Sequence, residues 1–161
     1  MSLMSDARTI ILHKGEGPGV NVLGRHSCTF KLTAQDTMGH FGLFECRLEP
    51  GSVGTSPHTH HEIVEIFYVL SGELDILAGD RRVIGRTGSL ISVPPDVVHA
   101  FRNFADDPVE FLLLFCPAHN REEYFKEVAE LARSGALNDE ALRTELDARF
   151  DTKRRPDVKF P

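Results

Sequence analysis

The stretch Pro57-His58-Thr59-His60-His61-Glu62-Ile63-Val64-Glu65-Ile66-Phe67-Tyr68-Val69-Leu70-Ser71-Gly72 runs three histidines and two glutamates into an apolar segment closed by glycine. Side chains alternate faces along an extended chain, so His58 and His60 present both imidazoles on one side of a strand. Glu65 and Phe67 share a face for the same reason. A second block runs from Gly88 through Pro94 to His99 and Asn103. Imidazole nitrogen and carboxylate oxygen are donors that a divalent transition metal prefers. The two blocks point to a metal site built on strands.

Short β-like runs with turn residues between them flank these blocks. Phe41–Leu48 stops at Glu49-Pro50-Gly51, Glu65–Leu70 at Ser71-Gly72, Leu74–Leu77 at Gly79-Asp80, and Arg82–Ile84 at Gly85. Ser89–Val93 stops at Pro94-Pro95, and Ala100–Phe104 and Val109–Phe115 follow. Short strands at close spacing with Gly and Pro punctuation predict an all-β sandwich or barrel. After Pro117 the period becomes helical. Asn120 with Glu123 reads as a capping box, followed by Tyr124, Phe125, Val128, Leu131 and Ala132 on one face and a stop at Gly135. A second helix starts after Asn138, with Leu142, Leu146 and Phe150 four apart. Residues beyond Phe150 read as a frayed or draped tail.

Written as spacings, the blocks are His-x-His-x4-Glu-x6-Gly and Gly-x5-Pro-x-Asp-x2-His-x3-Asn. They resemble the two motifs of the cupin superfamily, over roughly residues 40–118. The resemblance implies a double-stranded β-helix (jelly-roll) barrel, here residues 1–118 with the N-terminal segment, and a C-terminal helical extension, residues 119–161. It implies one divalent metal held by His58, His60, Glu65 and His99, with Gly72, Gly88, Pro94 and Asn103 in structural positions. Asp96 stands where the family usually has Gly; Asp tolerates left-handed turns better than most residues, so the turn is expected to survive. Metal identity is open among iron, manganese, nickel, copper, cobalt and zinc.

Composition removes several function classes. The 161-residue chain is 41% hydrophobic and 26% charged, with net charge −6, which leaves no electrostatic footprint for nucleic acid. No apolar run approaches membrane-spanning length and no signal-like segment is seen, so the expectation is a cytoplasmic protein with no membrane partner. Cys28, Cys46 and Cys116 are odd in number and far apart, which reads as reduced, mostly buried thiols. Met1-Ser2-Leu3 ahead of Met4 reads as a cloning scar. Gly15-Glu16-Gly17-Pro18-Gly19 lacks the strand–helix context of a nucleotide loop.

Around the metal, Glu65 is expected as ligand or general base, and Phe67 and Phe101 as substrate-binding walls. Phe41, Leu112 and Leu114 are further wall candidates. His61 is expected to face away from the metal, and His13, His26, His40 and His119 to be surface or cap residues. Cys116-Pro117-Ala118 followed by Glu122-Glu123-Tyr124-Phe125-Lys126-Glu127 is similar to small quercetinase-like cupins. That similarity implies an oxygen-dependent dioxygenase acting on a small aromatic, enediol or diketone substrate. The alternatives are a non-catalytic small-molecule binding cupin, or a metal-dependent isomerase or epimerase of a sugar or keto acid. The latter would favour polar cavity residues such as Arg47 or Arg102. A homodimer is expected, exchanging the segment before Asn21 and the C-terminal helices.

Overall fold

The computed structural model describes residues 9–161; the proposed scar at residues 1–3 lies outside them. Eleven strands and two helices follow one another along the described chain. One sheet holds six antiparallel strands in the order β1 (Gly19–Val22), β2 (His26–Leu32), β3 (Gly42–Leu48), β10 (Val109–Cys116), β5 (Val64–Ser71) and β8 (Leu90–Val93). The other holds five, β11 (Lys153–Arg154), β4 (Ser52–Thr59), β9 (His99–Asn103), β6 (Glu73–Ala78) and β7 (Arg81–Arg86). From β3 to β10 the chain shuttles between the sheets, which face each other across one core: a jelly roll. Alternation explains the core. Phe44, Cys46 and Leu48 on β3 and Phe111, Leu113 and Phe115 on β10 are buried, while the residues between them are half-buried on the outer face.

Two turns need left-handed backbone. Gly72 has φ +77°, and a Cβ there would lie 2.5 Å from the Pro108 carbonyl oxygen. Asp96 has φ +63°, so the turn expected to tolerate Asp in place of Gly is formed. Asn103 holds two loops from one buried side chain: its Nδ2 donates to the carbonyls of Leu48 and Asp107, and its Oδ1 accepts from Ala105 N–H.

Helices α1 (Arg121–Arg133) and α2 (Glu140–Arg149) close one side of the barrel, and Tyr124, Phe125, Leu146 and Phe150 join the same core cluster as the strands. The Phe125 ring stands edge-on to Phe44 at 5.5 Å and to His26 at 6.0 Å.

Several sequence expectations are corrected here. Asn120 makes no side-chain cap, because its backbone is left-handed (φ 48°, ψ 42°), whereas capping needs an extended residue. Glu123 pairs with Lys126 instead, and the capped helix is α2, where Asp139 accepts from Leu142 N–H. Cys28 and Cys46 are not free thiols: they sit directly opposite each other on β2 and β3, Cα atoms 4.2 Å apart, as a disulfide. Separation by 18 residues hid a pairing that only strand register creates. Cys116 is free and exposed rather than buried. His26 is not a surface residue; two positions from Cys28 on β2, it faces inward and is buried. Phe41, Leu112 and Leu114 are only half-buried, since alternation turns Phe111 and Phe115 inward instead. Of the two expectations for the tail beyond Phe150, draped and not frayed holds: β11 pairs with β4, matching Lys153 to Thr59 and Arg154 to His58.

Candidate metal centre

Antiparallel pairing and sheet packing bring the two sequence blocks together. His58 lies near the end of β4 and is paired with His99, the first residue of β9. His60 follows β4 by one residue, at the entry to the turn before β5. Glu65 lies on β5 in the opposite sheet, its side chain aimed inward between Val93 and Phe115 on the flanking strands. The four side chains are at most 4% exposed, and one ligand atom from each lies within 4.8 Å of the others.

The outer hydrogen bonds of the imidazoles settle their tautomers. His58 Nδ1 is 2.9 Å from the Ser56 carbonyl, His99 Nδ1 is 2.9 Å from the Val97 carbonyl, and His60 Nδ1 is 2.6 Å from the Asp151 carbonyl. A carbonyl only accepts, so each Nδ1 carries a proton, and Nε2 is the nitrogen each ring can offer inward as a ligand. Glu65 Oε2 stands 2.6 Å from His99 Nε2 and 3.2 Å from His60 Nε2. Bare nitrogen lone pairs facing a carboxylate repel, and a cation between them removes the conflict. Three imidazole nitrogens and one carboxylate are the donor set that suits zinc, copper, iron or nickel, with bonds of about 2.0–2.2 Å. The residues present therefore fit a divalent metal.

The electrostatics agree with that set. Burial, with His99 and His60 close by, holds His58 well below the ordinary histidine range. Burial pushes the Glu65 carboxyl up, but His99 and His60 outweigh it and keep the group well below the usual carboxylate range. Burial lowers His99, and Glu65 more than compensates, so its net shift is upward. The centre thus keeps an ionised carboxylate in a nearly dry interior.

Phe67 and Phe101 are buried, 5.3 Å apart, and packed with Phe111. Phe101 sits against Gly54, where a Cβ would collide with its ring. The ring beside the ligands is Phe115, 6.5 Å from His60. His61 points away, exposed, 3.2 Å from Asp96. His119 pairs with Glu62 at 2.7 Å. A second metal-type group, His26 with Cys28 and Cys46, has both sulfurs committed to each other. An open groove of about 470 Å³ between Val20–Gly24 and α1 lies away from the centre, and its Lys126 and Arg133 are already paired with Glu123 and Glu130. Sequence reasoning missed Asp151. Nothing in Arg149-Phe150-Asp151-Thr152 marks it, because its role depends on where the tail returns.

Comparison with known proteins agrees with this fold. Residues 44–115 match the family model described as Cupin domain. The polyketide cyclase RemF from Streptomyces resistomycificus superposes with TM-score 0.60 at 20% identity, over 74% of this chain and 94% of that one. KdgF from a Halomonas species gives 0.56 at 19%, over 65% and 90%. A cupin-superfamily sugar phosphate isomerase from Silicibacter pomeroyi gives 0.50 at 28%, over 59% and 61%. No protein of curated function matches the sequence. Residues 44–115 thus match the Cupin domain model within a jelly roll that the flanking strands complete, and they carry a four-residue group, His58, His60, Glu65 and His99, that can hold a metal.

Proposed function

We propose that the protein is a metal-dependent oxygenase acting on a small aromatic, enediol or diketone substrate. The observation that carries this reading is the convergence of ligand atoms from three buried histidines and one buried carboxylate inside an aromatic barrel. A divalent transition metal held by His58, His60, Glu65 and His99 would supply Lewis-acid polarisation of substrate oxygen atoms. In this reading Glu65, the one carboxylate among the four, takes the proton of a substrate hydroxyl. Phe67 and Phe101, on the strand faces of Glu65 and His99, give an apolar interior that suits a substrate without charge.

The isomerase reading loses its polar anchors. Arg47 pairs with Glu49 and Glu110, and Arg102 with Asp75 and the carbonyls of Phe160 and Pro161, so neither guanidinium serves the metal centre. The test is oxygen uptake on a panel of flavonols and β-diketones, with iron, manganese, cobalt, nickel or copper restored in turn. Uptake with at least one pair, reduced about 10²–10⁴-fold in Glu65→Gln, is the expected result. Tight binding of a diketone without oxygen consumption in any pair would make the protein a non-catalytic binding module.

A further inference from the structure

The tail that follows α2 reaches the metal centre at two ligands: Arg154 of β11 pairs along His58, and Asp151 meets His60. Asp151 has φ +51°, a left-handed conformation that needs outside support in a residue other than glycine. Its backbone carbonyl accepts from His60 Nδ1 at 2.6 Å. Its carboxylate meets the turn after His60: Oδ1 accepts from His61 N–H at 2.9 Å, and Oδ2 from Glu62 N–H at 2.9 Å and Ile63 N–H at 3.3 Å. One residue thus grips both the imidazole of His60 and the backbone that carries it.

The grip is itself anchored in the helices. Arg121, buried at the start of α1, donates from Nη1 to the Phe150 carbonyl at 2.9 Å and to Thr152 Oγ1 at 3.0 Å, the residues on either side of Asp151. Its guanidinium lies over the Tyr124 ring at 4.0 Å. Asp147 on α2 accepts from Thr152 N–H at 3.0 Å and from Arg154 Nε at 2.5 Å. Beyond, Arg155 N–H reaches the Pro57 carbonyl at 2.9 Å, and β11 lies along His58. His58 and His99, by contrast, give their Nδ1 protons to carbonyls two residues away in their own strands' neighbourhood, and so are oriented locally. His60 alone among the three is oriented from the far end of the chain.

We infer that Asp151 is a positioning residue for the metal centre, fixing the ring and tautomer of His60 and thereby coupling the C-terminal segment to metal affinity. The inference rests on the metal-centre reading of His58, His60, Glu65 and His99. Partners of this kind, hydrogen-bonded behind a ligating histidine, change metal affinity by about 10–100-fold when removed. A loose His60 also admits the tautomer with its proton on Nε2, where a metal needs a lone pair, which weakens the set further.

Asp151→Gly keeps the left-handed backbone and its carbonyl but loses the carboxylate that ties the turn after His60 to it, so the carbonyl and Nδ1 are no longer held together. Asp151→Asn keeps an acceptor oxygen and is the conservative rescue. Cobalt(II) is titrated into each metal-stripped protein, and nitrogen NMR of histidine-labelled protein reads the tautomers. Asp151→Gly should bind cobalt about 10–100-fold more weakly. His60 should lose its pure Nδ1–H signature while His58 and His99 keep theirs, with Asp151→Asn in between. Wild-type cobalt affinity and an unchanged His60 signal in Asp151→Gly would overturn the assignment. If the unaltered protein takes up no cobalt, the metal-centre reading falls, and the His60 tautomer alone then supports or overturns the role of Asp151.

Discussion

At the scale of single residues, the interior tolerates little change. Gly54 is required because a side chain there would enter the Phe101 ring, which is closed in by Phe67 and Phe111. Gly54→Ala should lower unfolding free energy by about 1–3 kcal/mol, the usual cost of overpacking, measured by urea denaturation. His26 makes the protein acid-sensitive. Burial among Phe101, Phe125 and the Cys28 sulfur pushes its pKa from 6.5 down to about 4. Between those values the unfolded chain binds a proton that folded His26 refuses. The stability is therefore full above about pH 6.5, declines as pH falls, and is lost once pH passes about 4. The total effect is about 3 kcal/mol. His26→Leu should flatten that part of a stability–pH profile, and an unchanged profile would contradict the assignment.

At the scale of elements, α1 is a wall of the barrel and not an appendage. Phe125→Ala removes a ring packed on Phe44, Phe115 and His26, and should cost about 3–5 kcal/mol in unfolding free energy. A loss below about 1 kcal/mol would mean that the helix only leans on the sheets. The central strands β3, β5, β9 and β10 were legible because alternating apolar residues and Gly or Pro stops are local signals. His58 and His60 were legible as a pair from their spacing along an extended chain, and the resemblance to the two cupin motifs added Glu65 and His99 to them. The rest depended on contacts far apart in sequence. Cys28 meets Cys46 only through the β2–β3 register, Asp151 meets His60 only because β11 returns to β4, and Asn120 fails as a cap because its backbone turns left-handed. No local pattern records these events.

At the scale of the whole molecule, two sheets enclose one core that also takes in both helices, so barrel and extension are expected to unfold together. No described helix is long and apolar enough to cross a membrane. The proposed partner is a second copy of the chain: Ile11 is 75% exposed in the segment before β1, and Leu90 is 63% exposed on edge strand β8. Light scattering at micromolar concentration should return twice the 18.0 kDa chain mass, and a monomer mass would rule the dimer out. The claim on which function depends is that His58, His60, Glu65 and His99 hold a metal. It is tested most directly by elemental analysis of the protein reconstituted with each divalent ion and then freed of excess, beside the double variant His58→Ala, His60→Ala. One ion per chain, falling to none in the double variant, is the expected result; a stoichiometry that the double variant leaves unchanged would contradict it.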